Sequence, residues 1–188
     1  MSNEINKACA FTGHRPQKFP WKYVEKDERC VELKTVLSQQ IEKMVVAGVT
    51  DFYSGMALGV DSWAANAVLE LRERNPTIKL HCILPCEEQE IKWTIPAQTR
   101  YRMILSEADS VEYVTRFYDR SCMLERNKRL VDYAGYLLAV YNGEWRGGTA
   151  ATIRYAQKMN RKIILINPLT QQILLDTSPS SNGAKCAL

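Results

Sequence analysis

The chain lacks long hydrophobic runs, and we expect it to have no secretion signal. Its uncharged apolar stretches, such as residues 135–142, are about eight residues long, whereas a membrane-spanning helix needs about 20. Residues 1–4 do not show the basic segment followed by an apolar segment with which a signal peptide begins. We therefore expect a cytoplasmic protein that has no membrane partner.

Metal-binding patterns are also missing, although the chain contains six cysteines. Cys82 and Cys86 lie close together beside His81, but their spacing is not that of a zinc knuckle and no second ligand pair follows. In a reducing cytosol such thiols behave as small hydrophobic side chains. The sequence therefore predicts free thiols, no metal site and no required cofactor.

Neither sign of charge dominates the chain. The formal net charge is +4, and 24% of the residues are charged and 46% hydrophobic. These ordinary values exclude a disordered chain, a collagen and a coiled coil. The length of 188 residues fits one domain, which at this size buries roughly 70% of its unfolded surface. The small positive charge is compatible with an anionic partner but does not require nucleic acid.

The chain alternates short apolar runs with longer stretches of helical periodicity. The apolar runs predict strands at residues 7–12, 51–54, 78–84, 110–114, 136–141 and 162–166. The periodic stretches predict helices at residues 25–47, 60–74, 96–107, 122–133 and 148–159. This alternation is typical of an α/β domain with a parallel sheet. We expect the domain to span residues 1–170 and the Ser- and Gly-containing segment 171–188 to be a disordered tail.

Glycine-containing loops follow three of the predicted strands. Glycine lets the backbone approach a ligand closely, and the free N–H groups at a helix start attract anions. In an open parallel sheet, ligands bind beyond the carboxyl ends of the strands. The alternative is that these glycines serve only the turns. The loop residues that we predict to bind a ligand are Thr12, Gly13, His14, Arg15, Gly55, Met56, Ala57, Gly59, Asn142, Gly147, Gly148 and Thr149.

Charged residues near these loops add further candidates. Arg126 is suited to clamp a phosphate and Asn127 to hold a ribose, although both also fit a solvated helix face. His14 is a candidate general base and Asp61 a candidate catalytic acid. Asp61 equally fits the first turn of a helix, where a carboxylate is stabilising. The sequence suggests no Ser or Cys nucleophile with a partner acid, so the pattern predicts binding more strongly than catalysis.

Several motifs together resemble one superfamily. Residues 54–61 resemble the S-G-x-A-x-G-x-D loop of the DprA/Smf proteins, and residues 125–131 resemble their A-R-N-R-x-[IL] helix. The strand at 136–141 and the following Gly147-Gly148-Thr149 complete the likeness to the SLOG superfamily, which joins DprA/Smf with the LOG proteins. Residues 11–16 and 89–93 are most similar to its YpsA group, and the resemblance spans residues 7–168.

The resemblance implies a single Rossmann-like, three-layer domain with a mostly parallel sheet flanked by helices. It also implies binding or sensing of a nucleotide or nucleotide-derived phosphate ligand, and a homodimer. One departure bears on activity, because Thr152 stands where the LOG phosphoribohydrolases carry a glutamate. Without that carboxylate, a developing oxocarbenium ion loses its stabiliser and water loses its base.

Two alternatives to simple ligand binding stay open at this point. The first is a phosphoribohydrolase-like or other nucleotide-processing enzyme in which His14 or Asp61 replaces the missing glutamate. The second is single-stranded DNA binding of the DprA kind. The chain has no stripe of alternating aromatic and basic residues of the sort that single-strand platforms use, so nucleic acid is the less favoured partner.

Overall fold

The apolar runs of the chain form one seven-stranded sheet in the computed structural model, which describes residues 2–176. The strands are β1 (Ala8–Gly13), β2 (Asp51–Ser54), β3 (Lys79–Leu84), β4 (Ser110–Tyr113), β5 (Tyr136–Val140), β6 (Lys162–Ile166) and β7 (Ile173–Asp176). Their order across the sheet is β4-β3-β2-β1-β5-β6-β7. The first six strands are parallel, and β7 is antiparallel to β6.

The periodic stretches form the helices that connect the six parallel strands, and a short helix that the sequence does not predict precedes β1. The helices are α1 (Ser2–Ile5), α2 (Glu28–Val46), α3 (Val60–Arg72), α4 (Ile95–Glu107), α5 (Cys122–Tyr133) and α6 (Gly148–Lys158). Local capping explains where the longest one begins, because the side chain of Asp27 accepts a hydrogen bond of 3.0 Å from the backbone N–H of Arg29. Within residues 2–176, no helix is both long and apolar enough to cross a membrane.

Side-chain alternation along β1 divides the core into two layers. Cys9 and Phe11 belong to the hydrophobic cluster that contains the buried faces of α2 and α3. Ala8 and Ala10 belong to a second cluster, with Leu130 of α5. Successive residues of a strand point to opposite faces, so both faces of the sheet are covered by helices. This confirms the predicted α/β, three-layer architecture.

The order of the strands places a switch point beside β1. From β1 the chain builds β2, β3 and β4 on one side, and it then crosses over to form β5 and β6 on the other side. Gly13 of β1 is in register with Val140 of β5, so the loops that follow these strands leave the sheet side by side. Open α/β sheets bind ligands in the crevice between such loops.

The strand β7 lies inside the segment 171–188, for which the sequence predicts a tail. Its four residues pair with β6, so the sheet extends past residue 170. The strand lies at the sheet edge, where Leu174 and Leu175 are 53% and 69% exposed. A short edge strand that contributes little to the core has a weak sequence signal. Residues 177–188 lie outside the described residues.

Candidate functional site

A cavity of about 270 Å³ opens at the carboxyl edge of the sheet, beside the switch point. It lies among the loops that follow β1 and β2, the first turns of α5 and the start of α6. The residues predicted from the sequence that line it are Thr12, Gly13, Arg15, Ala57, Asp61, Arg126, Asn127, Gly148 and Thr149. The fold therefore brings three separate predicted segments and the α5 pair to one place.

Two glycines bring the walls of the cavity close together. A β-carbon at Gly13 would overlap the side chain of Val60, at the start of α3. A β-carbon at Gly55 would overlap the guanidinium of Arg126, which lies across the backbone of the β2–α3 loop. Any side chain at position 55 would therefore displace Arg126. Gly55 shapes the site in this way although it does not itself line the cavity.

The β2–α3 loop is held by its own polar groups. The Ser54 hydroxyl donates to the carbonyl oxygen of Asp61 at 2.9 Å and accepts from the N–H of Met56 at 3.1 Å. The N–H of Ala57 donates to Oδ2 of Asp61 at 3.4 Å. These bonds hold Met56 at a φ of 53°, with its side chain fully buried. The loop is therefore a firm wall, and two of its N–H groups already have partners within the protein.

Asp61 and Arg126 form a buried ion pair beneath the cavity. Nη1 of Arg126 lies 3.3 Å from Oδ2 of Asp61, and both side chains are less than one-tenth exposed. Burial raises the pKa of the Asp61 carboxyl, and the guanidinium groups of Arg126 and Arg15 offset this effect only in part. The same burial lowers the pKa of Arg126, although a guanidinium stays protonated at neutral pH.

One donor of Arg126 has no partner. Its Nε is buried and forms no hydrogen bond with any residue of the described chain. A buried donor left unsatisfied costs about 1–3 kcal/mol, and more when it is charged. Arg126 is one of the residues that line the cavity, so an anion bound there would offset part of the cost of burying its charge.

Further positive charge surrounds the cavity. Arg15 also lines it and forms no ion pair with another residue between 2 and 176. The start of α6 faces the same space, and no described side chain caps it at Gly147. The first N–H groups of a helix carry a partial positive charge that favours anions. A β-carbon at Gly148 would meet only Nδ2 of Asn127, at 3.8 Å, so this helix start is open.

Two of the candidates, His14 and Asn142, do not line the cavity. Nε2 of His14 is 2.7 Å from Oδ1 of Asn142, which also accepts a hydrogen bond from the N–H of Glu144 at 3.1 Å. Burial lowers the pKa of His14, more strongly than the bond to Asn142 raises it. The pair therefore ties the β1 loop to the β5 loop, with a buried and neutral imidazole at neutral pH.

The remaining predicted glycines shape the backbone rather than line the cavity. Gly59 has a φ of 94°, and a β-carbon there would lie 3.0 Å from the carbonyl oxygen of His14 and from Cδ of Pro16. Gly147 has a φ of 107° and precedes the first residue of α6. Both conformations favour glycine for steric reasons.

Three lining residues are not predicted from the sequence: Gln17, Lys18 and Met123. Lys18 carries the one usable signal, since it is a basic residue shortly after the first strand. Its ammonium group forms an exposed ion pair with Glu144 at 2.9 Å. Gln17 lines the cavity because it lies in a short 3-10 turn at Pro16–Lys18 that faces it. Met123 lines it because the first turn of α5 faces the same space.

The position of the missing glutamate is occupied by a structural threonine. Thr152 is buried, and its hydroxyl donates to the carbonyl oxygen of Gly148 at 2.8 Å. Of the described residues that line the cavity, Asp61 alone carries a carboxylate, and that carboxylate is paired with Arg126. No group of three or more His, Cys, Asp and Glu side chains within residues 2–176 is placed to hold a metal ion.

The chain is similar to several known proteins. A model of the YspA SLOG family (YpsA) matches residues 9–171. The UPF0398 protein BH1768 of Halalkalibacterium halodurans is 32% identical over 142 residues, which cover 72% of this chain and 75% of that protein. A UPF0398 protein of Bacillus thuringiensis is 32% identical over 155 residues, which cover 81% of this chain and 83% of that protein.

A solved structure is similar in fold. DNA processing protein A (DprA) from Streptococcus pneumoniae superimposes with a TM-score of 0.55 at 12% sequence identity. The superposition covers 85% of this chain and 50% of the DprA chain, so this chain spans about half the length of that protein. At this level of identity the likeness extends to the Rossmann-like sheet and its flanking helices.

Proposed function

Because the chain belongs to the YspA SLOG family, we propose that it binds or senses a nucleotide or nucleotide-derived ligand whose phosphate lies in the cavity beside α6. The observation that carries the proposal is the buried guanidinium of Arg126, whose Nε has no partner among residues 2–176 while the group lines the cavity. A phosphate oxygen is a strong acceptor and the customary partner of a guanidinium.

The charge balance around the cavity supports an anionic ligand. Arg15, Lys18 and Arg126 are the cations of the lining, and Asp61 is its one anion. The uncapped N-terminus of α6 adds the positive end of a helix dipole. Thr149 sits in the first turn of α6, where its hydroxyl and N–H are suited to a phosphate oxygen. Asn127 also lines the cavity and offers an amide for a ribose hydroxyl.

The groups of the cavity support binding rather than hydrolysis. A phosphoribohydrolase needs a carboxylate to activate water and to stabilise an oxocarbenium ion. Asp61 already accepts from the N–H of Ala57 and pairs with Arg126, and Thr152 is bonded to its own helix. His14 is not among the residues that line the cavity.

The proposal is tested by thermal unfolding against a panel of probes: mononucleotides, ADP-ribose, NAD, cyclic dinucleotides and a short single-stranded DNA. A ligand that binds only the folded state raises Tm by mass action. We expect one class of nucleotide to raise Tm. The proposal would be contradicted if only single-stranded DNA raised Tm. It would also be contradicted if none of the probes raised Tm at millimolar concentration.

A matched pair of variants places the binding in the cavity. Gly148→Asp puts a carboxylate at the open start of α6, where, outside the helix itself, the nearest atom to the new β-carbon is Nδ2 of Asn127 at 3.8 Å. It should therefore abolish the shift by charge repulsion without disturbing the fold. Gly148→Asn has nearly the same shape but no charge, and should retain most of the shift. If both variants lost the ligand-induced rise in Tm equally, the negative charge at the start of α6 would not be the cause of the loss.

A further inference from the structure

A second and larger hollow adjoins the cavity. This groove, of about 820 Å³, lies between the chain that follows β1 and the first turns of α4. Its apolar wall is formed by Leu58, Trp93, Pro96, Ala97 and Tyr101. The rings of Trp93 and Tyr101 meet edge to face, with their centroids 5.3 Å apart.

The groove and the cavity are neighbours. Arg15 and Gln17 line both of them, so the side chains of the β1 loop form the boundary. A second link lies deeper, where Nε2 of Gln89 donates to the carbonyl oxygen of Met56 and to the hydroxyl of Tyr101, each at 3.2 Å. The aromatic wall of the groove is thereby held to the loop that supports the phosphate cavity.

The sizes of the two spaces bear on what they can hold. Sites that enclose a whole organic ligand have volumes of roughly 300–1,000 Å³. The cavity, at about 270 Å³, falls below this range, whereas the groove, at about 820 Å³, lies well inside it. The cavity alone suits a phosphate group, and the remainder of a nucleotide needs a neighbouring space with apolar walls.

We infer that the groove is the nucleobase subsite, so that the ligand lies across Arg15 with its phosphate in the cavity and its aromatic base against Trp93 and Pro96. This inference rests on the proposed function. Base stacking on aromatic side chains tolerates all four bases and adds substantial affinity. Lys26 and Lys92 also line the groove and add positive charge to it. The ligand class is therefore a nucleotide whose base contributes to affinity, rather than inorganic phosphate or a sugar phosphate.

The test compares ribose 5-phosphate with AMP, GMP, CMP and UMP by isothermal titration. At least one mononucleotide should bind about tenfold or more tightly than ribose 5-phosphate, because only the nucleotide has a base to place in the groove. A variant that fills the groove, Ala97→Trp, should remove this advantage and leave the affinity for ribose 5-phosphate unchanged.

The control variant is Thr99→Trp, which adds the same ring at an exposed position of α4 that does not line the groove. It should bind every probe as the wild type does. If ribose 5-phosphate binds but Ala97→Trp leaves the nucleotide advantage intact, the subsite assignment is wrong and the phosphate site stands. If neither ribose 5-phosphate nor any mononucleotide binds the wild type, the proposed function fails, and the base subsite fails with it.

Discussion

The guanidinium of Arg126 lies so close to the backbone of Gly55 that a β-carbon at position 55 would overlap it. The contact joins α5 to the loop that follows β2, and it fixes the position of a buried guanidinium whose Nε has no hydrogen-bond partner among residues 2–176. The conformation of the β2–α3 loop and the position of this guanidinium therefore depend on each other.

Gly55→Ala should therefore disturb the site strongly, although it adds only one methyl group. The added methyl group must displace Arg126, and overpacking of this kind costs about 1–3 kcal/mol of unfolding free energy. Phosphate affinity should fall as well, because the guanidinium moves. Denaturant unfolding and titration with the nucleotide that raises Tm measure the two effects. Gly148→Ala is the control, since its β-carbon meets no close neighbour and stability should hardly change.

Removing one member of the Asp61–Arg126 ion pair should lower the free energy of unfolding more than removing both members. Asp61→Asn leaves a buried guanidinium without its counter-ion, which typically costs about 3–5 kcal/mol. The double variant Asp61→Asn, Arg126→Met removes both charges and should recover a large part of that loss. Denaturant unfolding of the wild type, the two single variants and the double variant gives a complete double-mutant cycle. Additive losses would show that the two groups do not stabilise each other.

Glu25 should make a pH-dependent contribution to stability. Burial raises the pKa of Glu25, but hydrogen bonds from Arg100, Lys34 and Trp63 outweigh it and lower the pKa from 4.5 to about 2. A carboxyl group whose pKa is lower in the folded state stabilises the fold above its unfolded pKa. The stability gap between wild type and Glu25→Gln should be on the order of 1 kcal/mol above pH 4.5 and should close as pH falls towards 2. A gap that is independent of pH would contradict the ion-pair account.

His14 should titrate at lower pH than a free histidine. Burial lowers its pKa below 6.5, so the folded state disfavours the imidazolium. Its contribution to stability is then present above pH 6.5 and is lost as pH falls through its folded pKa. The chain has two histidines, so NMR titration can follow both ring signals, and a His14→Asn variant assigns them. A His14 pKa at or above 6.5 would refute the buried, neutral imidazole.

Much of the fold could be predicted because both faces of the sheet are covered. Strands buried on two sides read as short apolar runs, and the helices that cover them read as periodic stretches. β5 is such a strand, whereas β7 is not, because Leu174 and Leu175 of that strand lie exposed at the edge. Short patterns of this kind cannot be separated from loops by periodicity.

The site was only partly predictable because its roles depend on contacts between distant segments. The α5 motif contains both Arg126 and Lys128, and the sequence does not show which of the two is buried. Arg126 is buried and Lys128 half-buried because of the way in which α5 packs on the loop that follows β2. His14 and Asn142 occupy the predicted loops, yet they bond to each other instead of lining the cavity. Met123 carries no sequence signal, since its place at the cavity follows from the direction of the first turn of α5.

The most direct test of the central claim is a crystal structure of the chain with the nucleotide that gives the largest rise in Tm. We expect a phosphate oxygen within about 3.2 Å of a guanidinium nitrogen of Arg126 or of the N–H groups of Gly148 and Thr149. A phosphate bound elsewhere on the chain, with Nε of Arg126 still unpartnered, would contradict the account.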